Sequence, residues 1–289
     1  MKIYLATTRA SLDENSRIEE EVKALGYEFK LLDLLKFEYS ILNGKLLVEP
    51  TEDLPDVLIL RGIFNNIKGI SAHVIGLKKK GIRVFDNGFL EHKYSINKIS
   101  DLIKLSDNGI PVPDSYHLHD FDKFTRAAAE IGYPIVVKLT RTGKGAGVYK
   151  FDDQKELAEF ISRVKENGNE AKNYLLQEFI DYKYDLRVLI IGDKIYCMRR
   201  IPGEGEFRAN FSLGGSVEKF DLDEAGKKLA IAALDAVDIS IGGVDILIDK
   251  EGRRYILEVN HTPGFTGMEK ATGLNIGKIY LDFAIASAK

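Results

Sequence analysis

Short apolar runs alternate with amphipathic stretches over the first ninety residues. Residues 2–6 read as a strand, 12–25 as a helix ended by Gly26, and 56–61 as a buried strand. Residues 66–80 form the next helical pattern, stopped by Gly81, and 82–86 another strand. Strands separated by helices imply a small parallel sheet. A helix over 91–108 follows, closed by Gly109 and Pro111. The rhythm then changes. Strands are expected at 113–118, 134–139, 148–151, 174–180, 186–191, 194–200, 243–249 and 253–259. Helices are expected at 120–131, with Asp120 as N-cap, at 153–165 and at 222–237. This second region reads as α+β with antiparallel hairpins.

Composition narrows the function classes. The 289 residues carry 41 basic and 44 acidic side chains, a formal net charge of −3. That balance argues against a nucleic-acid binder. A chain of this size buries about three quarters of its unfolded surface, enough for two or three subdomains. The single Cys197 forms no internal disulfide and fits a reducing, cytoplasmic setting. No apolar run approaches the ~20 residues of a membrane span. Gly outnumbers Pro, 26 to 7, so backbone at positive φ or in close approach to a ligand is expected.

Candidate chemistry begins after the expected strand at 134–139. Thr140-Arg141-Thr142-Gly143-Lys144-Gly145-Ala146-Gly147 has glycines at alternate positions, with four basic residues and no acid between Lys138 and Lys150. Bare backbone N–H groups beside cations suit a polyphosphate. The spacing is neither a Walker loop nor a dinucleotide fingerprint, and a basic hairpin tip is the competing reading.

The two expected strands at 243–249 and 253–259 flank a turn-like Lys250-Glu251-Gly252-Arg253. Pairing Asp249 with Arg254 sets Leu247 opposite Ile256 and Asp245 opposite Glu258, with Asn260 on the same face. Both faces carry apolar residues, so both are expected to be covered. Two carboxylates about 5 Å apart on a covered face repel each other and need a cation or a proton. Carboxylates with an amide carbonyl suit Mg²⁺ or Mn²⁺ shared with phosphate oxygens. A slipped register with solvated acids is the alternative, and the apolar companions argue against it. The five histidines, His73, His92, His117, His119 and His261, lack metal spacing. The loop from Arg199 to Gly215 holds three Arg, two Glu and four Gly, a composition common in functional loops. Arg61, at an expected strand end, reads either as holder of an acceptor carboxylate or as a structural ion pair.

Together these segments resemble the RimK-like amino-acid ligases of the ATP-grasp superfamily. The matching runs are Pro134-Ile135-Val136-Val137-Lys138, Gln177-Glu178-Phe179-Ile180, Asp185-Leu186-Arg187, Gly205-Glu206-Phe207-Arg208-Ala209-Asn210, Gly242-Gly243-Val244-Asp245-Ile246-Leu247 and Leu257-Glu258-Val259-Asn260-His261-Thr262-Pro263-Gly264. The resemblance is clear over 91–289 and rests on pattern alone before that. It implies an ATP-grasp fold: a small parallel N-terminal domain at 1–93, a central lid subdomain at 94–175 and a C-terminal subdomain at 176–289, the last two clasping ATP. By position, Lys98 and Lys138 would contact phosphates, as would Gly143, Lys144 and Gly145. The backbone of Glu178 and Phe179 would form the adenine edge, and Asp185 would hold the ribose. Gln177, Ile180, Arg199 and Leu247 would complete the nucleotide site. Arg208 and Asn210 would reach the transferred phosphoryl group, with Arg208 and Lys138 as the catalytic cations. Asp245, Glu258 and Asn260 would hold two magnesium ions, Glu258 bridging. Many family members have Ala-Ser where His261-Thr262 stand, which bears on the acceptor side.

The implied activity is ATP-dependent joining of a carboxylate to an amine through an acyl phosphate. It would add glutamate or another amino acid to a peptide, a protein tail or a small coenzyme. A homo-oligomer is expected, with no nucleic-acid or membrane partner. The rival readings are a small-molecule kinase and a non-catalytic ATP-binding partner protein.

Overall fold

The computed structural model describes residues 1–36, 38–48, 53–63, 67–90, 96–140, 147–182, 184–203, 206–208 and 216–289, with backbone alone at 39, 45–48, 67 and 68. In chain order the N-terminal elements are β1 (Lys2–Thr7), α1 (Asp13–Ala24), β2 (Glu28–Asp33), the hairpin β3 (Tyr39–Leu42) and β4 (Lys45–Val48), β5 (Val57–Leu60), α2 (Ile67–Lys79) and β6 (Arg83–Asp86). The order β2-β1-β5-β6 is parallel throughout. Ile3, Tyr4, Leu5 and Ala6 are all buried, because a central parallel strand is covered on both faces and must be apolar on both. Ile3 and Leu5 pack with Ile18 and Val22 of α1, whereas Tyr4 and Ala6 pack with Ile70, Val74 and Leu77 of α2.

The middle of the chain forms α3 (Lys98–Asp107), β7 (Ser115–His117), α4 (Phe124–Ile131), β8 (Ile135–Leu139), β9 (Val148–Phe151), α5 (Gln154–Glu166) and β10 (Tyr174–Glu178). The sheet order is β7-β10-β8-β9, with all three pairings antiparallel. Alternation sorts its two faces. Ile135, Val137, Tyr174 and Leu176 join Phe124, Leu157 and Phe160 from α4 and α5 in one core. Val136, Lys138, Leu175 and Gln177 lie on the opposite face.

The remainder comprises β11 (Asp185–Ile191), β12 (Lys194–Ile201), β13 (Ser216–Lys219), α6 (Glu224–Ala236), β14 (Ile241–Ile248), β15 (Arg254–Asn260), α7 (Thr266–Thr272) and α8 (Ile276–Ser287). The antiparallel order is β13-β12-β11-β14-β15. Val188, Cys197, Val244, Ile246 and Ile256 face α6. On the other face Leu189 and Met198 meet α8 and the first sheet in a shared core. Among the described residues no helix is long and apolar enough to cross a membrane.

Two expectations need correction. The helix predicted over 91–108 begins at Lys98: Asn97 is its N-cap, accepting from Ile99 N at 3.1 Å and Ser100 N at 2.9 Å, and residues 91–95 lie outside the described set. The hairpin register predicted by uniform alternation also fails beyond Asp245. Asp245 pairs with Glu258 as expected, but Ile246 pairs with Ile256, Leu247 with Tyr255 and Ile248 with Arg254. Leu257 is the extra residue of a β-bulge. The bulge returns Ile256 to the apolar face and re-aims Leu257 toward the polar one, which no period-2 reading provides. The hairpin strands β3 and β4, the edge strands β2 and β13 and the helices α7 and α8 were not foreseen. The two edge strands have few buried side chains, and α8 is too uniformly apolar to show an amphipathic stripe.

Candidate active site

The cavity that gathers Lys98, Lys138, Gln177, Glu258 and Asn260 has a volume of about 490 Å³ and lies between the two larger antiparallel sheets. Lys138, Leu175 and Gln177 line it from one sheet, and Leu257, Glu258 and Asn260 from the other. Helix α3 closes one side with Lys98 and Asp101. Thr140, the last described residue before the glycine loop, also lines it.

The charges in this cavity hold one another. Lys98 Nζ lies 2.5 Å from Glu258 Oε2. Asn260 Nδ2 donates to Glu258 Oε1 at 3.1 Å and to Gly243 O at 3.3 Å. Lys138 Nζ donates to Gln177 Oε1 at 2.5 Å, and Gln177 Nε2 donates to Ser115 Oγ at 2.8 Å. Burial, reinforced by the neighbouring Lys98 charge, lowers the Lys138 ammonium to about 8. Glu258 raises the Lys98 ammonium above its usual value. Burial alone would raise the Glu258 carboxyl, but Lys98, Arg187 and Lys138 outweigh it and hold the group well below the carboxylate range.

Asp245 sits directly across from Glu258 and is buried. Its Oδ2 accepts from Arg187 Nη2 at 3.1 Å and lies 3.0 Å from Arg200 Nη2. Its Oδ1 is 2.5 Å from Arg187 Nε but out of line for a hydrogen bond, and both atoms are buried without hydrogen-bond partners. Two cross-strand carboxylates, an adjacent amide and an orphaned carboxylate oxygen fit a hard divalent cation. Among the described residues no group of three or more His, Cys, Asp or Glu is placed to hold a metal ion. Gly243 lets Arg187 reach the site: a Cβ there would lie 2.7 Å from Arg187 Nη1 and 3.0 Å from Pro263 Cβ.

Other expected residues lie elsewhere. Asp185 does not reach the cavity with a free carboxylate: Arg200 donates to both its oxygens, at 2.6 and 2.7 Å. Arg199 is on the wrong face of β12. It pairs with Glu218 and lies over the Tyr184 ring at 4.9 Å, while its neighbour Arg200 shares the Asp245 face. Arg208 is held by Glu206, with Nη2 to Oε2 at 2.6 Å. Phe179 follows β10 with Lys150 Nζ 4.8 Å from its ring centroid and Phe207 in edge contact. Glu178 ends β10 and is half-buried, Ile180 lies two residues beyond it and is buried, and Leu247 is buried near the end of β14. Gly143, Lys144, Gly145 and Asn210 lie outside the described residues. Sequence reasoning passed over Arg187 and Arg200. Period-2 alternation from Asp185 and Asp245 would have found both once the strand pairing was known.

Comparison with known proteins identifies the family. The model of the RimK-like ATP-grasp domain matches residues 95–283. N-acetylaspartylglutamate synthase A of Mus musculus is 30% identical over 270 residues, covering 89% of this chain and 70% of that protein. A probable alpha-L-glutamate ligase 2 of Pseudoalteromonas atlantica is 30% identical over 100% of this chain and 97% of its own. The ATP-grasp ligase PsnB, solved with a phosphomimetic variant of its minimal precursor, Mg and ADP, superposes with a TM-score of 0.76 at 21% identity, covering 98% of this chain and 97% of that one. The chain belongs to the RimK-like ATP-grasp family and is an ATP-dependent ligase that joins a carboxylate to an amine.

Proposed function

We propose that the cavity between the two sheets binds ATP and that the amine substrate is an amino acid, glutamate foremost. The observation that carries this reading is one cavity lined by Lys98, Lys138, Glu258 and Asn260, with Asp245 paired to Glu258 on the neighbouring strand. The names of the relatives, a glutamate ligase and an N-acetylaspartylglutamate synthase, support the choice of glutamate. The acceptor carboxylate then belongs to a peptide, a protein tail or a small coenzyme.

In this reading Lys98 and Lys138 draw the phosphates in. Gln177, Glu178, Phe179 and Ile180 flank the base, and Leu257 adds apolar floor. The loop with Gly143, Lys144 and Gly145 covers the phosphates. Asp245, Glu258 and Asn260 would hold magnesium, which would supply charge neutralisation at the phosphate oxygens. An acceptor carboxylate oxygen attacks the γ-phosphorus, the bond to the β-phosphate oxygen breaks, and ADP leaves. Lys138 and Arg208 spread the developing charge, and Asn210 is assigned to the same transferred group. Arg208 must leave Glu206 to do so, and Arg187 offers a second cation from the Asp245 face. The amine, having lost a proton, attacks the acyl carbon. The carbon–oxygen bond to phosphate breaks, giving an amide and inorganic phosphate.

Purified protein with ATP, MgCl₂ and a panel of amino acids and carboxylate acceptors tests the reading. Expected are ADP release that requires both substrates and a product lighter than their sum by one water. No substrate-dependent ADP, or a product heavier by one phosphoryl group that persists with amine present, would overturn it.

A further inference from the structure

The parallel sheet ends at the same cavity, and its topology is informative. From β1 the chain moves outward to β2, and from β5 it moves outward the other way to β6. The connecting helices α1 and α2 lie on opposite faces. The carboxyl ends of two such neighbouring strands form the crevice in which open α/β sheets bind ligands. Here β1 runs into Thr8 and Arg9, and β5 into Arg61 and Gly62. Thr8 ties the two ends together, donating through N and Oγ1 to Gly62 O at 3.2 and 2.8 Å.

The two arginines of this crevice have different fates. Arg61 is 2% exposed. Its Nη1 donates to Asn15 Oδ1 at 3.1 Å and its Nη2 to Pro263 O at 2.9 Å, between the rings of Phe265 and Tyr280. It is a clamp that binds the first sheet to the segment after β15 and has no reach to a substrate. Asn15 in turn donates to Arg9 O at 2.9 Å, so the clamp fixes the Arg9 backbone. Arg9 itself is exposed and lines the cavity together with His261 and Thr262. Those two residues carry buried polar atoms without hydrogen-bond partners, His261 Nδ1 and Thr262 Oγ1. The Asp101 carboxylate, 3.1 Å from His261 Nε2, fixes the ring orientation.

We infer that Arg9, His261 and Thr262 form the subsite for the amino-acid substrate, with Arg9 as the residue that recognises one of its carboxylates. The planar guanidinium fork matches a carboxylate, and the unpartnered oxygen and nitrogen suit the substrate's remaining polar groups. Lys98 and Lys138 already serve Glu258, Gln177 and the phosphates, so the crevice supplies the cation for a second anion. The identity of the substrate rests on the ligase reading above.

Isothermal titration on the full chain, saturated with MgCl₂ and a non-hydrolysable ATP analogue, tests this. The ligands are L-glutamate, L-glutamine and isoglutamine, which lack respectively neither carboxylate, the side-chain one and the α one. The wild type should prefer glutamate to one amide by about 10- to 100-fold, the range of a charge-assisted pair. Arg9→Gln should weaken glutamate by a similar factor, erase that one preference and leave nucleotide affinity within about twofold. Which preference vanishes tells which carboxylate Arg9 holds. Unchanged glutamate affinity in Arg9→Gln, equal weakening of all three ligands, or no binding of any by the wild type would overturn the assignment. Failure of the ligase reading would show separately, as absent substrate-dependent ADP release by the wild type.

Discussion

Arg200 holds two buried carboxylates at once, and its removal should be costly. The side chains of Arg200, Asp185 and Asp245 are 5%, 5% and 4% exposed. Arg200→Met removes both charge-assisted bonds to Asp185 and the 3.0 Å contact with Asp245 Oδ2, leaving Arg187 as the remaining guanidinium beside the pair. Breaking a buried pair by deleting one partner costs about 3–5 kcal/mol, because the other charge stays buried and unpaired. With an unfolding entropy of about 2.1 cal/mol/K per residue, the whole chain gives roughly 0.6 kcal/mol/K, so the loss is about 5–8 °C in Tm. Burial already pushes the Asp185 carboxyl above its ordinary range, against Arg200. Without Arg200 it rises further. A carboxyl whose folded value exceeds its unfolded one weakens the fold progressively as pH rises from the unfolded value to the folded one, so the deficit should shrink as pH falls from 8 toward 5. The double variant Asp185→Leu with Arg200→Met removes the stranded charge and should recover most of the loss. Urea and thermal unfolding followed by circular dichroism measure all three. A deficit below about 1 kcal/mol in Arg200→Met, or a double variant no better than the single one, would refute the reasoning.

The remaining predictions concern the cavity. Glu258→Gln should lower substrate-dependent ADP release by about 10³-fold or more while the circular dichroism spectrum stays native, since a lost charge contact at the reacting phosphates acts on the transition state. Lys138 is a charged ammonium below about 8 and neutral above it. Nucleotide affinity measured by titration calorimetry should therefore fall about 10- to 30-fold between pH 7.5 and 9.5, and Lys138→Met should flatten that profile. Gly243→Ala drives a methyl to within 2.7 Å of Arg187 Nη1 and 3.0 Å of Pro263 Cβ. It should cost about 1–3 kcal/mol in urea unfolding and lower kcat, because Arg187 must move away from Asp245.

Much of the site was legible before folding because its signals are local. The expected pairing of Asp245 with Glu258 is found because two offsets cancel: the turn end pairs Ile248 with Arg254, one residue off the expected register, and the bulge at Leu257 restores it. Lys138 stands one step from the end of an apolar strand. Lys98 was reached only through the family resemblance, since a lysine opening a helix carries no chemical signal of its own. The register beyond Asp245 was not legible, because a bulge inserts one residue without changing composition. Asp185 and Arg199 were misplaced for a related reason: adjacent arginines at 199 and 200 point to opposite faces, and the sequence does not say which face meets Asp245.

The sequence by itself determined the alternation of strand and helix, the parallel character of the first sheet and the antiparallel hairpins after it. Those depend on hydrophobic period and turn chemistry, which are properties of a few consecutive residues. Only the tertiary structure decided that the cavity lies between two sheets, and that Arg61 is spent on Asn15 and Pro263 O. It also decided that Arg9 lies at the mouth beside His261 and Thr262. Arg9 and Arg61 are 52 residues apart, and Arg61 and Pro263 more than 200. Which of two arginines is buried and which lines the cavity depends on how the sheets pack, and packing of that range leaves no mark on any single stretch of chain.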